Sequence, residues 1–142
     1  MSVCKPIVGL LPLYLALYDE LVPELRGEFV GYPERIATGL AARGLAVRQA
    51  PICCVAAEIA AAVRQFEAEG VDAIVTLHLA YSPSLEAIDA LCGTALPLVM
   101  LDTTMDVAFG IDVAPARIMY NHGVHGVMDL ASMLRRRGRA YE

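Results

Sequence analysis

Asp72-Ala73-Ile74-Val75-Thr76-Leu77-His78-Leu79 is the clearest strand of the chain, and the segments on either side of it set the fold class. Upstream, Val55, Ile59, Ala62, Val63 and Phe66 fall at one-face helical spacing, with Gly70 as a C-terminal stop. Downstream, Ser82-Pro83 reads as a cap followed by proline at the first helical position, leading into Leu85, Ile88 and Leu91. Leu96–Leu101 (LPLVML) is the next strand. At the start of the chain, Pro6–Leu11 (PIVGLL) is a continuous apolar run, the mark of a strand buried on both faces. Leu45–Ala50 follows Gly44 and reads as another strand, interrupted by Arg48 and Gln49.

The long connection from Leu13 to Arg43 is broken by Pro23, Gly27, Gly31 and Pro33. It reads as a short helix, a kink or turn, and a second helix through Ile36 and Leu40. A last helix runs to Arg137, with Val124, Val127, Met128, Ala131 and Leu134 on one face. It ends in Arg135-Arg136-Arg137-Gly138, cations at the negative end of the dipole and then a stop glycine. Strand and helix alternating in this way demand right-handed crossovers and a parallel sheet. The expected fold is an α/β three-layer sandwich, flavodoxin-like or Rossmann-like, with a sheet of four to five strands. Arg139–Glu142 reads as the approach to a fifth strand.

Composition narrows the function classes. The chain has 142 residues, enough for one domain with a proper core. Its 11 basic and 16 acidic residues leave a formal net charge of −5, which argues against nucleic acid or an anionic membrane as partner. Cys4, Cys53, Cys54 and Cys92 have no zinc-like spacing and read as reduced thiols of a cytoplasmic protein. No apolar stretch reaches the roughly 20 residues of a membrane helix. Yet 57% of residues are hydrophobic, which points to faces covered by another subunit or domain.

In parallel α/β sheets, ligands bind beyond the carboxyl ends of the strands. The candidate site therefore lies in Pro12–Tyr14, His78–Ser82, Asp102–Thr104 and Asn121–His125, all in loops after strands. The segment Tyr120-Asn121-His122-Gly123-Val124-His125-Gly126 brings two imidazoles and free backbone N–H groups to a helix N-terminus. Asn121 can cap that helix, and its two glycines admit a close approach to the backbone. The bland alternative is a capped helix with one histidine packed and one solvated. A metal reading needs a third ligand, and no strong one is in sight. Asp102, Thr103 and Thr104 suit either a polyol or the loop's own backbone. His78 reads either as a satisfied core histidine or as a ligand contact. The acidic pair Asp19-Glu20 reads as a solvated helix face. Phosphate-binding GxGxxG and GxxxxGK[ST] motifs and the hydrolase GxSxG are absent.

Taken together, TLHLAYSPS (Thr76–Ser84), LDTT (Leu101–Thr104) and YNHGVHGVMDL (Tyr120–Leu130) resemble the L-fucose isomerase and L-arabinose isomerase superfamily. More closely, they resemble the N-terminal domain of its fucose-isomerase-like members. PIVGLLPLY and LYDELVPELR fit as well, so the resemblance covers essentially the whole chain. It implies an aldose–ketose isomerase of several α/β domains, a homo-oligomer (trimer or hexamer) acting on a small-molecule sugar. The divalent metal of that family, usually manganese, is held by two carboxylates and a histidine of later domains. Those ligands have no counterpart here, so this chain binds no cofactor itself and lacks catalytic residues of its own. Its partners would be the missing C-terminal catalytic domains or a partner chain. His125 falls where arabinose isomerases carry a histidine that holds substrate, and His122 where they carry a glutamine. Pro12 and Tyr14 are the nearest matches to their first-strand sugar contact.

The substrate-positioning candidates are accordingly His125, His122, Asn121, Asp102, Thr103, His78 and Tyr14. The expected function is the substrate-positioning and oligomerisation domain of a metal-dependent sugar isomerase, incomplete alone. The alternatives are a free-standing sugar or sugar-phosphate binding module and an oligomeric scaffold without ligand.

Overall fold

A computed structural model describes residues 5–108 and 110–142. Four strands, β1 (Ile7–Leu13), β2 (Ala46–Gln49), β3 (Ala73–His78) and β4 (Leu98–Leu101), form one sheet in the order β2-β1-β3-β4. Every pairing is parallel. Three helices, α1 (Leu17–Leu21), α2 (Leu25–Phe29) and α3 (Gly31–Ala42), cover its front face. Helices α4 (Ala56–Ala68), α5 (Ser84–Gly93) and α6 (Gly123–Arg136) cover its back, so the expected α/β three-layer sandwich is the observed one.

The apolar runs follow from this double cover. In β1 and β3, Leu10, Val75 and Leu77 pack forward against Phe29 and Tyr32, while Leu11 and Ile74 pack backward against Ile59, Phe66, Leu130 and Leu134. Each such side chain contributes roughly 1.5–3 kcal/mol through removal from water. Gly9 sits under α4 so closely that a Cβ there would stand 2.7 Å from the Phe66 ring. Arg48 and Gln49 are tolerated in β2 because it is an edge strand and they are exposed.

The first connection holds three helices rather than two. Val30, with φ −53° and ψ −42°, links α2 to α3 in helical conformation. Pro33 has no N–H to return to the carbonyl of Phe29, and the helix divides there. Asp19 is not simply solvated: both carboxylate oxygens accept from Arg26 across the α1–α2 connection.

The last two helices correct the expected faces. On α6 the buried residues are Gly123, Gly126, Leu130 and Leu134, while Met128 is 64% exposed. The apolar stripe read from the sequence is rotated because glycines, not aliphatic residues, face the sheet at its first turns. On α5, Ser84, Ala87, Ile88 and Leu91 are buried and Leu85 is exposed. Ser82 does not cap α5; its hydroxyl belongs to His78, and the Asp129 carboxylate accepts from the Ser84 backbone N–H instead, at 3.3 Å. Gly138, at φ +69°, ends α6 as expected.

Beyond α6, Glu142 exchanges backbone hydrogen bonds with β4, its N–H donating to Leu98 at 2.9 Å and its carbonyl accepting from Met100 at 2.8 Å. Among the described residues, Cys53, Cys54 and Cys92 are free thiols; Cys4 lies outside them. No helix among the described residues is long and apolar enough to cross a membrane.

Candidate functional site

The strand order reverses at β1 and β3, because the chain steps from β1 outward to β2 and then back across to β3. The crevice above that point is where such sheets receive ligands. Tyr14 leaves β1 there and His78–Ser82 leaves β3. Ala80 takes φ +50°, a left-handed turn that costs an L-residue roughly 1–2 kcal/mol. That turn sits between Leu79, packed in the front core, and Ser82, bound to His78 behind the sheet.

His122 and His125 meet face to face at the mouth of α6, with ring centroids 4.1 Å apart and planes 22° from parallel. His125 is exposed; His122 is half-buried, its Nδ1 shielded and without a partner. Burial, and secondarily the neighbouring His125, lower the His122 pKa, so its imidazole is neutral at pH 7. The Tyr81 ring stands edge-on to His122 at 6.4 Å. The Tyr81 hydroxyl donates to Asp129 at 3.0 Å. Burial pushes the Asp129 carboxyl up, but the hydrogen bonds from Ser84 and Tyr81 outweigh it and leave its pKa lowered.

His78 lies behind this pair, fully engaged. Its Nδ1 is 2.7 Å from the Ser82 hydroxyl and its Nε2 is 3.1 Å from that of Thr76. Burial pushes its pKa down to about 4. The two glycines of α6 close over it: a Cβ on Gly123 would meet the His78 carbonyl oxygen at 2.7 Å, and one on Gly126 the Ser82 hydroxyl at 2.6 Å. The close approach expected for a ligand is therefore taken by the chain's own β3–α5 loop.

Asn121 is not the helix cap. It ends a 3-10 helix (Pro115–Asn121), and α6 begins after His122 with no side-chain cap. The Asn121 side-chain Oδ1 accepts from the Asp106 backbone N–H at 3.0 Å, and its Nδ2 donates to the Asp106 carboxylate at 2.8 Å. Arg117 grips the same carboxylate through two nitrogens, at 2.6 and 2.8 Å, and lies 4.1 Å over the Tyr120 ring. Arg117 first, and then Asn121, hold Asp106 down to about 2. Asn121 thus pins the loop after β4 rather than facing a ligand.

The remaining candidates are dispersed. Asp102 is exposed at the end of β4, and Thr103 is half-buried with an unpartnered hydroxyl near α6. Tyr14 is 1% exposed, wedged between Tyr18, Phe29 and the Arg26 guanidinium, with its hydroxyl unpartnered. Burial, followed by the charge of Asp19, pushes its pKa up to about 12. Tyr81 and Asp129 are the residues sequence reasoning passed over; both lie within segments it marked, on the strand-following loop and the last helix.

The arrangement places two imidazoles, of which burial keeps His122 neutral, beside a tyrosine ring held by the Asp129 carboxylate. Neutral imidazole both donates and accepts, which suits hydroxyl groups. Among the described residues, no three His, Cys, Asp or Glu side chains gather to hold a metal ion. A cavity of about 320 Å³ lies elsewhere, beside α4 between Pro51, Cys53, Glu58 and Gln65. It carries no imidazole, so the chemistry favours the histidine pair. No protein-family model and no curated protein sequence matches this chain.

Proposed function

We propose that this domain positions an open-chain sugar for a metal-dependent aldose–ketose isomerase whose catalytic groups lie in further domains or a partner chain. The observation that carries the reading is the stacked His122–His125 pair beside Tyr81, at the carboxyl edge of a parallel sheet. The neutral His122 imidazole can bond a sugar hydroxyl without the cost of desolvating a charge. An aromatic edge beside them supplies an apolar wall for the sugar's carbon face. The resemblance to fucose- and arabinose-isomerase N-terminal domains supplies the substrate class.

The residues described here do not fit the manganese of that family, since no carboxylate–histidine set converges. In this reading, the proton transfer and polarisation of the reaction are supplied from further domains or a partner chain. What these residues can contribute is orientation and exclusion of water, which lower a barrier by fixing geometry before the chemistry. We place the protein in the cytoplasm as a homo-oligomer, a setting that suits the free thiols of Cys53, Cys54 and Cys92.

The test is an isomerase assay with manganese on a panel of pentoses and 6-deoxyhexoses. It compares this chain alone with the chain joined to, or mixed with, metal-bearing partner domains. Activity only with the partner supports the reading. Activity from the chain alone, or from neither, overturns it; sugar binding by a stable monomer without any turnover would mark a binding module instead.

A further inference from the structure

The front layer leaves part of the sheet uncovered. Leu10, Val75 and Leu77 are buried under it, whereas Val99 and Leu101 of β4 on the same face remain half-buried. Between β4 and α3 runs a groove of about 340 Å³, floored by Ile36, Leu40 and Leu101. Arg35 and Arg43 stand along its α3 wall, two helical turns and so about 12 Å apart. Neither makes a salt bridge among the described residues. Arg35 rests 5.0 Å over the Tyr32 ring, and Arg43 donates back to the Gly39 carbonyl at 2.8 Å. At the end of the groove, the Thr103 hydroxyl has no partner.

Gly39 lies between the two arginines, in the middle of α3. A glycine there weakens the helix, and the fold does not require it: a Cβ would meet only the Arg43 guanidinium, at an ordinary 3.6 Å. Without a side chain, the α3 wall stays open to another backbone. The ridge Ile36–Leu40 and the row Arg35–Gly39–Arg43 both run at i, i+4 spacing, the surface into which a second helix interdigitates.

We propose that this groove docks an amphipathic helix of a partner protein, with its apolar stripe on Ile36, Leu40 and Leu101 and carboxylates two turns apart facing Arg35 and Arg43. The complementarity is one of charge: two cations, neither in a salt bridge among the described residues and Arg35 also within the field of Asp106, border an apolar floor on a chain whose net charge is −5. Helix-in-groove recognition reads the stripe for affinity and the flanking charges for orientation. This surface is separate from the histidine pair and does not rest on the isomerase reading.

The test uses two fluorescent synthetic peptides with the same leucine stripe, one flanked by glutamates and one by lysines, titrated into the full chain by anisotropy. The glutamate peptide is expected to bind, and to shift the amide resonances of Gly39, Leu101 and Thr103. Arg35→Glu with Arg43→Glu should weaken it by roughly tenfold or more and reverse the preference toward the lysine peptide. Gly39→Leu, which fills the groove on a better helix former, should weaken binding without lowering Tm. No binding, equal binding of both peptides, or resonance shifts elsewhere overturns the proposal. So does concentration-dependent self-association that Arg35→Glu abolishes, which would give the groove to a second copy. Saturation of the same resonances by decanoate, with no peptide preference, would give it to a small acid and likewise overturn it.

Discussion

Gly126 of α6 lies against Ser82 so closely that a Cβ on it would stand 2.6 Å from the Ser82 hydroxyl oxygen and 2.9 Å from Nδ1 of His78. The mouth of α6, with its two histidines, is therefore set by contact with the loop after β3. Glycine is needed there for packing, although alanine is the better helix former. Gly126→Ala should destabilise the domain by about 1–3 kcal/mol through forced displacement of the Ser82–His78 pair. Urea denaturation checks this; an unchanged or raised midpoint would show that the loop yields at no cost.

His78 makes stability depend on acid. Its ring titrates near pH 6.5 when unfolded and at about 4 when buried, so the folded state resists the proton. Stability is fully present above pH 6.5, declines as pH falls toward 4, and levels off below. Over that window the loss from this group is about 3 kcal/mol. His78→Asn should flatten this part of the pH–stability profile while lowering stability at pH 7. Denaturation midpoints measured from pH 7.5 to 3.5 decide it, and a mutant profile as steep as the wild type would remove His78 as the cause.

His125 is exposed and bonds no other side chain among the described residues, so its removal should spare the fold. His125→Ala is expected to change stability by less than about 0.5 kcal/mol, as for surface positions generally. On the proposed isomerase reading, the same change should weaken sugar turnover when the chain is joined to metal-bearing partner domains. Unchanged turnover in a folded variant would sink the site assignment. Because burial and His125 both lower the His122 pKa, His125→Ala should also let the His122 pKa rise, measurable by NMR titration.

Asn121 holds Asp106 through both ends of its amide. Asn121→Ala removes these bonds and one to the Arg117 carbonyl at 3.2 Å. The expected cost is about 1–3 kcal/mol. The loop between β4 and the 3-10 helix should open first, seen as faster amide exchange at Asp106 while the α4 amides keep their protection. Uniform loss of protection across the chain would instead mean that Asn121 supports the whole fold.

Much of the layout was legible in order and kind. The runs of Ile7–Leu13 and Ala73–His78 are apolar at successive positions because both faces of a central strand are covered, and that signal is local. Gly70 and Gly138 marked turns because a positive φ is a demand of one residue on itself. The placement of the strand-following loops at one edge came from topology. Within those segments, Ser82 and Asn121 were read as caps. Both are good caps by type, but their hydrogen-bond partners, His78 and Asp106, lie outside the helices they precede.

The sequence by itself determined the α/β alternation, the parallel sheet and the edge where the strand-following loops lie. These depend on apolar periodicity and turn chemistry, which neighbouring residues carry. Only the tertiary structure decided which side of α6 meets the sheet, that His122 and His125 stack, and that Asp129 reaches Tyr81 across 48 residues at 3.0 Å. Those outcomes depend on contact between layers. There a missing Cβ brings backbones together, and a polar group takes whichever partner the packing leaves within about 3 Å.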